Sequence, residues 1–384
     1  MSISTFSFPT TTFCGAGALR ELPGRLKQLS VARPLVVTDP GLIATEAFKQ
    51  LEAVLGADGQ RRTWCLFQGV HPNPVESDVT LTAEAYRAGG CDAVIAFGGG
   101  SALDVGKAAR LLLKRPALKL AEFNYQDDWT GLDPLIAIPT TAGTGSEVGR
   151  SSVITIEATQ RKAVLFHPEL LARLVILDPE LTRGLPPKLT AATGLDAFTH
   201  CLESFTSPVF HPLCDGIALE GLHLIVGALP RACRDGHDLQ ARTQMLVAAA
   251  MGAVAFQKDL GATHSLAHPL STVCGLHHGT ANALCLPAVM KFNAQARPGL
   301  YRRVGLACGL DVVKATPVEA DQRTIELVEQ LRAEVGLNQR LRDYGVKAAQ
   351  LDTLADQAIQ DGCHHTNPVP VTRQDLLTLY RTVL

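Results

Sequence analysis

Four histidines crowd one short stretch of this sequence: His264, His268, His277 and His278 stand among small and apolar residues between Gly261 and Asn282. Imidazoles in such surroundings have few polar partners, and burial without one is costly, so the cluster asks for a metal ion or a proton to move. Upstream, Gly194-Leu-Asp-Ala-Phe-Thr-His200 sets Asp196 and His200 at i and i+4, one above the other on a single helical face. Asp196, His200, His264 and His278 together offer one carboxylate oxygen and three imidazole nitrogens. That donor set suits Fe2+ or Zn2+ and leaves a position for a substrate oxygen. One charged ligand on a dication leaves net positive charge, so the chemistry on offer is polarisation of an alcohol or carbonyl oxygen. Taken singly, each member is more often a local hydrogen bond or a satisfied core histidine than a ligand, and the weight lies in the set. His268, one helical turn past His264, is a candidate proton relay. His277 cannot point where its neighbour His278 points, and reads as an outer or surface imidazole.

A second stretch, Ala93 to Lys107, runs from an apolar strand through Gly98-Gly-Gly-Ser101 into a helix. Glycines let backbone approach an anion closely, and the free amides of a following helix hold it. Gly98, Gly99, Gly100 and Ser101 are therefore candidate pyrophosphate contacts, the alternative being a tight turn without ligand. Asp104 and Lys107 read as a local structural pair. Another apolar run, Pro134–Pro139, ends in Thr140-Thr-Ala-Gly-Thr-Gly-Ser-Glu147, where Thr140, Thr141 and Thr144 suit a loop around a polar ligand. Asp39 follows the apolar run from Arg33. At a strand's carboxyl end it can accept hydrogen bonds from a ribose, or be an ordinary turn aspartate before Pro40.

These residues need elements to hold them. Up to Leu185 the pattern alternates: β-prone Thr10–Phe13, a helix near 19–29, strands near 33–39, 63–67, 93–98, 134–139 and 174–177, helices near 41–55 and 75–88, and a hairpin over 151–166 carrying Arg161 and Lys162. Such alternation predicts a doubly wound parallel sheet. From Pro186 onward helix-length amphipathic runs replace strands. The expected architecture is therefore an α/β domain over 1–185 and an all-α domain over 186–384. The chain has 384 residues, 46% of them hydrophobic, and a formal net charge of −2 with both signs interspersed. This gives material for two cores and no electrostatic footprint for nucleic acid or a membrane surface. The first residues lack the basic and apolar segments of a secretory signal, and no run is expected to span a bilayer, so a cytoplasmic protein is expected. Ten cysteines without regular spacing are expected to be mostly buried thiols.

With both halves in view, the chain resembles the iron-containing (type III) alcohol dehydrogenases nearly end to end. The resemblance is carried by Thr-Asp-Pro-Gly (38 to 41), Gly-Gly-Gly-Ser-x-x-Asp-x-x-Lys (98 to 107), Pro-Thr-Thr-x-Gly-Thr-Gly-Ser-Glu (139 to 147) and Asp-Pro-Glu-Leu-Thr (178 to 182). It continues through Ala-Ala-Thr-Gly-Leu-Asp-Ala-Phe-Thr-His (191 to 200), His-Ser-Leu-Ala-His-Pro-Leu (264 to 270), His-Gly-Thr-Ala-Asn-Ala (278 to 283) and Thr-Asn-Pro (366 to 368). It implies a dehydroquinate-synthase-like fold, with a Rossmann-like dinucleotide domain and a helical metal domain on either side of a cleft, and often a homodimer. It also implies that Asp196, His200, His264 and His278 are metal ligands, for Fe2+ with Zn2+ as the alternative, and that His268 lies close to the nicotinamide. Gly98, Gly99 and Ser101 would hold the pyrophosphate of NAD, and Thr140, Thr141, Thr144 and Lys162 would line the nucleotide site. Asp39 would favour NAD over NADP.

One departure bears on substrate. Where many members carry Phe-Ser-Asn before a longer run, this chain has Phe256-Gln-Lys-Asp-Leu-Gly261, one residue shorter and with Lys258. Lys258 at a cleft edge would receive an anionic substrate tail. Its alternative is a solvated charge or a pair with Asp259. Arg150 is a second candidate, and Phe256 and Cys363 complete the candidate substrate residues. This run, with segments 275–280 and 363–368, is most similar to the 4-hydroxybutyrate dehydrogenase branch, which interconverts 4-hydroxybutyrate and succinate semialdehyde. The alternatives are members acting on neutral alcohols and diols such as 1,3-propanediol or lactaldehyde, or on a phosphono- or sulfo-aldehyde. A dehydroquinate-synthase-like lyase would need a basic cluster that the helical half lacks.

Overall fold

The computed structural model describes residue 8 and residues 10–56, 63–159 and 161–384. Gln160 of the expected hairpin, and the opening residues on which the absence of a leader was read, lie outside them. The chain divides into two compact units, Phe8–Leu185 and Pro186–Leu384.

The first unit carries β1 (Thr12–Cys14), α1 (Leu22–Gln28), β2 (Pro34–Val37), α2 (Glu46–Leu55), β3 (Cys65–Phe67), α3 (Glu76–Gly89), β4 (Ala93–Gly98), α4 (Gly100–Lys114), β5 (Leu135–Pro139), the hairpin β6 (Ser151–Ile156) and β7 (Arg161–Phe166), and β8 (Leu174–Leu177). Six strands form one parallel sheet in the order β1-β8-β5-β4-β2-β3, and β6 and β7 pair antiparallel apart from it. The central strands are apolar at every position and fully buried, as a sheet covered on both faces requires. Val36, Ile95, Phe97, Ile136 and Ile176 pack with Leu22 and Leu26 of α1 and Phe48 and Leu51 of α2. On the other face α4 comes so close that a Cβ on Gly106 would lie 2.8 Å from that of Ala96. The chain moves from β2 outward to β3, then returns to the far side of β2 as β4. The carboxyl ends of β2 and β4 thus flank a topological switch point, where open sheets of this kind bind ligands. Two helices start later than the apolar pattern suggests. Ala18–Glu21 is a 3-10 turn, and α2 waits for Thr45, whose hydroxyl caps it by accepting from Phe48 N, after residues 39–42 have closed a turn on Asp39.

The second unit is helical among its described residues: α5 (Pro187–Thr206), α6 (Pro212–Arg234), α7 (Leu239–Ala255), α8 (Ala262–Cys274), α9 (His278–Ala296), α10 (Arg302–Ala307), α11 (Pro317–Glu334), α12 (Leu351–Ala358) and α13 (Arg373–Val383). α5 packs against α6, α7 and α9, and α8 against α9 and α12. Leu266, Leu270, Leu284, Leu354 and Tyr380 lie in the core between α8, α9, α12 and α13. Contrary to the sequence expectation, α6 is long and apolar enough to cross a membrane. It nevertheless carries Asp215, Glu220 and Arg231 and lies against α5 and α7. The ten cysteines are all free, and only Cys201, Cys214, Cys285 and Cys308 are fully buried, fewer than the composition suggested.

Candidate active site

In the α/β unit, the register Gly98↔Pro139 and Val37↔Ala96 sets the loops leaving β2, β4 and β5 side by side. Gly98 has φ +151, a backbone setting that favours glycine, and a Cβ there would meet Ala102 at 2.9 Å. Asp39 lies across from it, its Oδ2 3.7 Å from that same Cβ position, while Oδ1 accepts from Gly41 N and Leu42 N at 2.9 and 3.2 Å. One oxygen makes the turn and the other borders the glycine loop, so the two sequence readings of Asp39 are compatible. Thr140 N donates to Gly98 O at 2.9 Å, Thr141 lies against Gly99 and Thr144 against Gly100. The structure thus brings the glycine loop, the threonine loop and Asp39 together. Ser101 stands in the first turn of α4 with its hydroxyl donating to Pro72 O at 2.6 Å. Lys162 sits on β7 opposite Thr155.

Asp104 and Lys107 are more than a local pair. Lys107 Nζ donates to Ser146 Oγ and Ser151 O at 2.7 and 2.8 Å, and Asp104 accepts from Ser146 Oγ and Val153 N at 2.6 and 3.0 Å. Two side chains of α4 thereby bracket the end of the threonine loop and the start of β6. Arg150, just before β6, lays its guanidinium over the Phe166 ring at 5.6 Å.

In the helical unit, α5 supplies Asp196 and His200, α8 supplies His264 and His268, and α9 begins with His278. Ligand atoms of Asp196, His200 and His264 all lie within 4.8 Å of one another, and His278 joins through Asp196, whose Oδ1 is 3.6 Å from His278 Nε2. The His200 and His264 rings stack at 4.8 Å. Close helix contacts make this convergence. A Cβ on Gly279 would lie 2.2 Å from Ala192 O, so α9 meets α5 backbone to backbone beside His278.

Asn282 tests whether this donor set fits a cation. Its Nδ2 lies 2.7 Å from Asp196 Oδ1 and 3.2 Å from both His264 Nε2 and His278 Nε2. An amide NH2 has two hydrogens and cannot satisfy three acceptors aimed at one region, whereas a dication can take several lone pairs. The residues fit a divalent metal. Glu203 supports them: its carboxylate accepts from Gly261 N and Thr263 N at 3.0 and 2.7 Å and lies 2.6 Å from His264 Nδ1. It caps α8 and turns His264 Nε2 toward the cluster. Burial alone would depress the His264 imidazole and raise the Glu203 carboxyl; their hydrogen bond and opposite charges reverse both directions.

His268 lies beside this group, its ring stacked on His278 at 5.1 Å and its Nδ1 2.7 Å from Asp361 Oδ2. Cys363 adjoins Asp361, and burial followed by that carboxylate pushes its thiol well above the usual range. Phe256 places its ring 5.3 Å from that of His200. His277 is exposed and outside the ligand group.

Lys258 requires a correction. It is not at a solvent edge offering a free ammonium: the side chain is 2% exposed, pairs with Asp215 and donates to Phe205 O at 3.3 Å. Nor is Asp259 its partner. A lysine taken out of water holds its nearest carboxylate, and the first turn of α6 supplies one. The sequence reading also omitted Glu203, Asn282 and Asp361. Glu203 continues the face of Asp196 and His200 at i+7, and Asn282 stands at i+4 from His278, so helical periodicity holds a signal for both. Asp361 is 93 residues from His268, with no local signal.

The description "Iron-containing alcohol dehydrogenase" matches residues 9–179, and "Fe-containing alcohol dehydrogenase family, C-terminal" matches 190–384. The chain is 39% identical to 4-hydroxybutyrate dehydrogenase of Cupriavidus necator, over 96% of this chain and 95% of that one. A crystal structure of 1,3-propanediol oxidoreductase superposes with a TM-score of 0.95 at 32% identity, covering 99% of this chain and 100% of that one. Sulfoacetaldehyde reductase of Bifidobacterium kashiwanohense, solved with NAD+, gives 0.88 at 28% identity, covering 100% and 99%. Both halves of the fold and both halves of the sequence point the same way: this chain belongs to the iron-containing alcohol dehydrogenase family and is an oxidoreductase of dehydroquinate-synthase-like fold.

Proposed function

We propose that the protein is an NAD-dependent, metal-dependent dehydrogenase that interconverts 4-hydroxybutyrate and succinate semialdehyde, acting as a homodimer. The observation that carries the substrate is the 39% identity, over nearly the whole chain, to an enzyme of that name. Asp196, His200, His264 and His278 would hold Fe2+, with Zn2+ the alternative, since the same donors accept both. Asp39, Gly98, Gly99, Ser101, Thr140, Thr141, Thr144 and Lys162 would hold NAD. Bound there, the metal would supply Lewis acidity toward an alcohol or carbonyl oxygen, and NAD a hydride acceptor. Among the chain's own groups, Glu203 orients His264, Phe256 covers His200 with an apolar ring, and His268 accepts or returns the substrate proton. Cys363, whose backbone N–H donates to Asp361, would be a substrate contact.

With Lys258 committed to Asp215, Arg150 is the basic residue left from the sequence reading to meet a substrate carboxylate. A second reading, a neutral short alcohol or diol, draws support from the superposition on 1,3-propanediol oxidoreductase at a TM-score of 0.95.

The test is NADH oxidation by Fe2+-reconstituted protein on succinate semialdehyde and on carbon-matched butanal. A preference for the semialdehyde of about tenfold or more, reduced in Arg150→Leu, is expected; equal rates would move the substrate to the neutral alcohols. Lys258→Met should leave the preference unchanged and cost roughly 2–4 kcal/mol of stability, because Asp215 is stranded beside a lost buried partner but keeps some solvent.

A further inference from the structure

Asp361 follows α12 and caps the 3-10 turn Gly362–Thr366, and each of its oxygens has a separate task. Oδ1 accepts from Cys363 N and from Ser265 Oγ, both at 2.9 Å. The Ser265 oxygen itself accepts from His364 N at 2.9 Å, so the serine's single hydrogen is committed to Asp361. Oδ2 faces His268 Nδ1 at 2.7 Å. Ser265 and His268 lie three residues apart on α8, so one carboxylate holds one face of that helix at two points.

We infer that Asp361 is the positioning residue of His268, fixing the tautomer in which Nδ1 carries the proton and Nε2 keeps the lone pair. An ionised carboxylate only accepts hydrogen bonds, so Nδ1 must donate. Three donors, Ser265 Oγ, Cys363 N and His268 Nδ1, meet the two oxygens of Asp361 and favour its charged form against burial. Nε2 of the neutral ring is then the acceptor, on an imidazole whose plane lies within 15° of that of His278. The inference rests on the alcohol-dehydrogenase reading of the site. In alcohol oxidation the substrate C–H and O–H bonds would break as C=O forms, the hydride going to a bound nicotinamide and the proton to Nε2. The imidazolium so formed keeps Asp361 as its counter-charge. Aldehyde reduction runs the same transfers backwards.

The arrangement dictates what asparagine would do in place of Asp361. Two donors, Ser265 Oγ and Cys363 N, meet Oδ1, so the amide must turn its oxygen to them and its NH2 to His268. Nδ1 then has to accept, and the proton moves to Nε2, where it blocks proton uptake.

Two readouts test this on Zn2+-loaded, diamagnetic enzyme. Long-range 1H–15N spectra of 15N-histidine-labelled protein, with His268 assigned by its loss in His268→Gln, should show the proton on Nδ1 in the wild type and on Nε2 in Asp361→Asn. Steady-state alcohol oxidation by Asp361→Asn should show kcat lowered by about 100-fold or more, with KM and metal content within about twofold of wild type. A wild-type proton on Nε2 overturns the inference without need of any variant. So does an Asn variant with wild-type kcat, or one whose lost activity is matched by lost metal, which would make the carboxylate merely structural. The dehydrogenase reading fails differently: a wild type that turns over no alcohol with NAD sinks that reading whatever the tautomer.

Discussion

Glu147 is a carboxyl that the fold leaves almost no means to charge. It is 2% exposed, its Oε1 has no hydrogen-bond partner among the described residues, and burial pushes its pKa up to about 7 against the opposing pull of its own backbone amide and Lys107. The unfolded chain ionises the same group near 4.5. Between those values the folded state binds the extra proton, so Glu147 stabilises the fold less and less as pH rises from about 4.5 through about 7. Glu147→Gln removes that loss. Urea unfolding at the two ends of the window should show the pH-dependent drop in stability shrink by roughly 1–3 kcal/mol in the variant; an unchanged drop would assign it to other groups. The same lesson in reverse applies to Lys258, whose charge the sequence displays and whose partner, 43 positions away, it does not.

At the scale of elements, the geometry of the proposed metal site depends on how tightly helices approach. Gly279 is the second residue of α9, and its Cα faces the carbonyl of Ala192 on α5, one turn before Asp196. A methyl group 2.2 Å from that oxygen cannot be accommodated unless α9 moves off α5, carrying His278 away from Asp196. Gly279→Ala is expected to weaken Zn2+ or Fe2+ binding by about 10–100-fold, as lost support for a ligand does, and to destabilise by roughly 1–3 kcal/mol. Competition against a chelating dye measures the first effect. Gly227→Ala on α6, where the added carbon meets nothing within 4 Å, is the control that should bind normally. Equal affinities for the two variants would refute the close-contact argument.

For the whole molecule, each of the two units has its own hydrophobic core, and the proposed metal ligands all belong to the second. A ligand that binds only the folded form stabilises it by about 2.7 kcal/mol at a hundredfold excess over its dissociation constant. Chelation should therefore speed amide exchange in α5, α8 and α9, read by mass spectrometry, and leave the strands β4 and β5 as protected as before. Loss of protection spread evenly over both units would contradict a metal site confined to the helical one.

Local pattern alone determined much of this protein. Apolar runs broken by glycine and proline marked the strands, the change of period near Leu185 marked where helices take over, and i, i+4 spacing put Asp196 under His200. Each is a short-range signal, because backbone geometry repeats every two or 3.6 residues and side-chain type must follow it. Grouped motifs then pointed to the chemistry and to the family. Tertiary structure decided which lone pairs converge and which charges are spent. Asp361 reaches His268 across 93 residues, and Lys258 turns inward to Asp215 rather than out to a substrate. The reason is physical: a buried polar group takes whichever partner the packing brings within 3 Å, and that neighbour is set by how helices cross, not by what stands next in the chain.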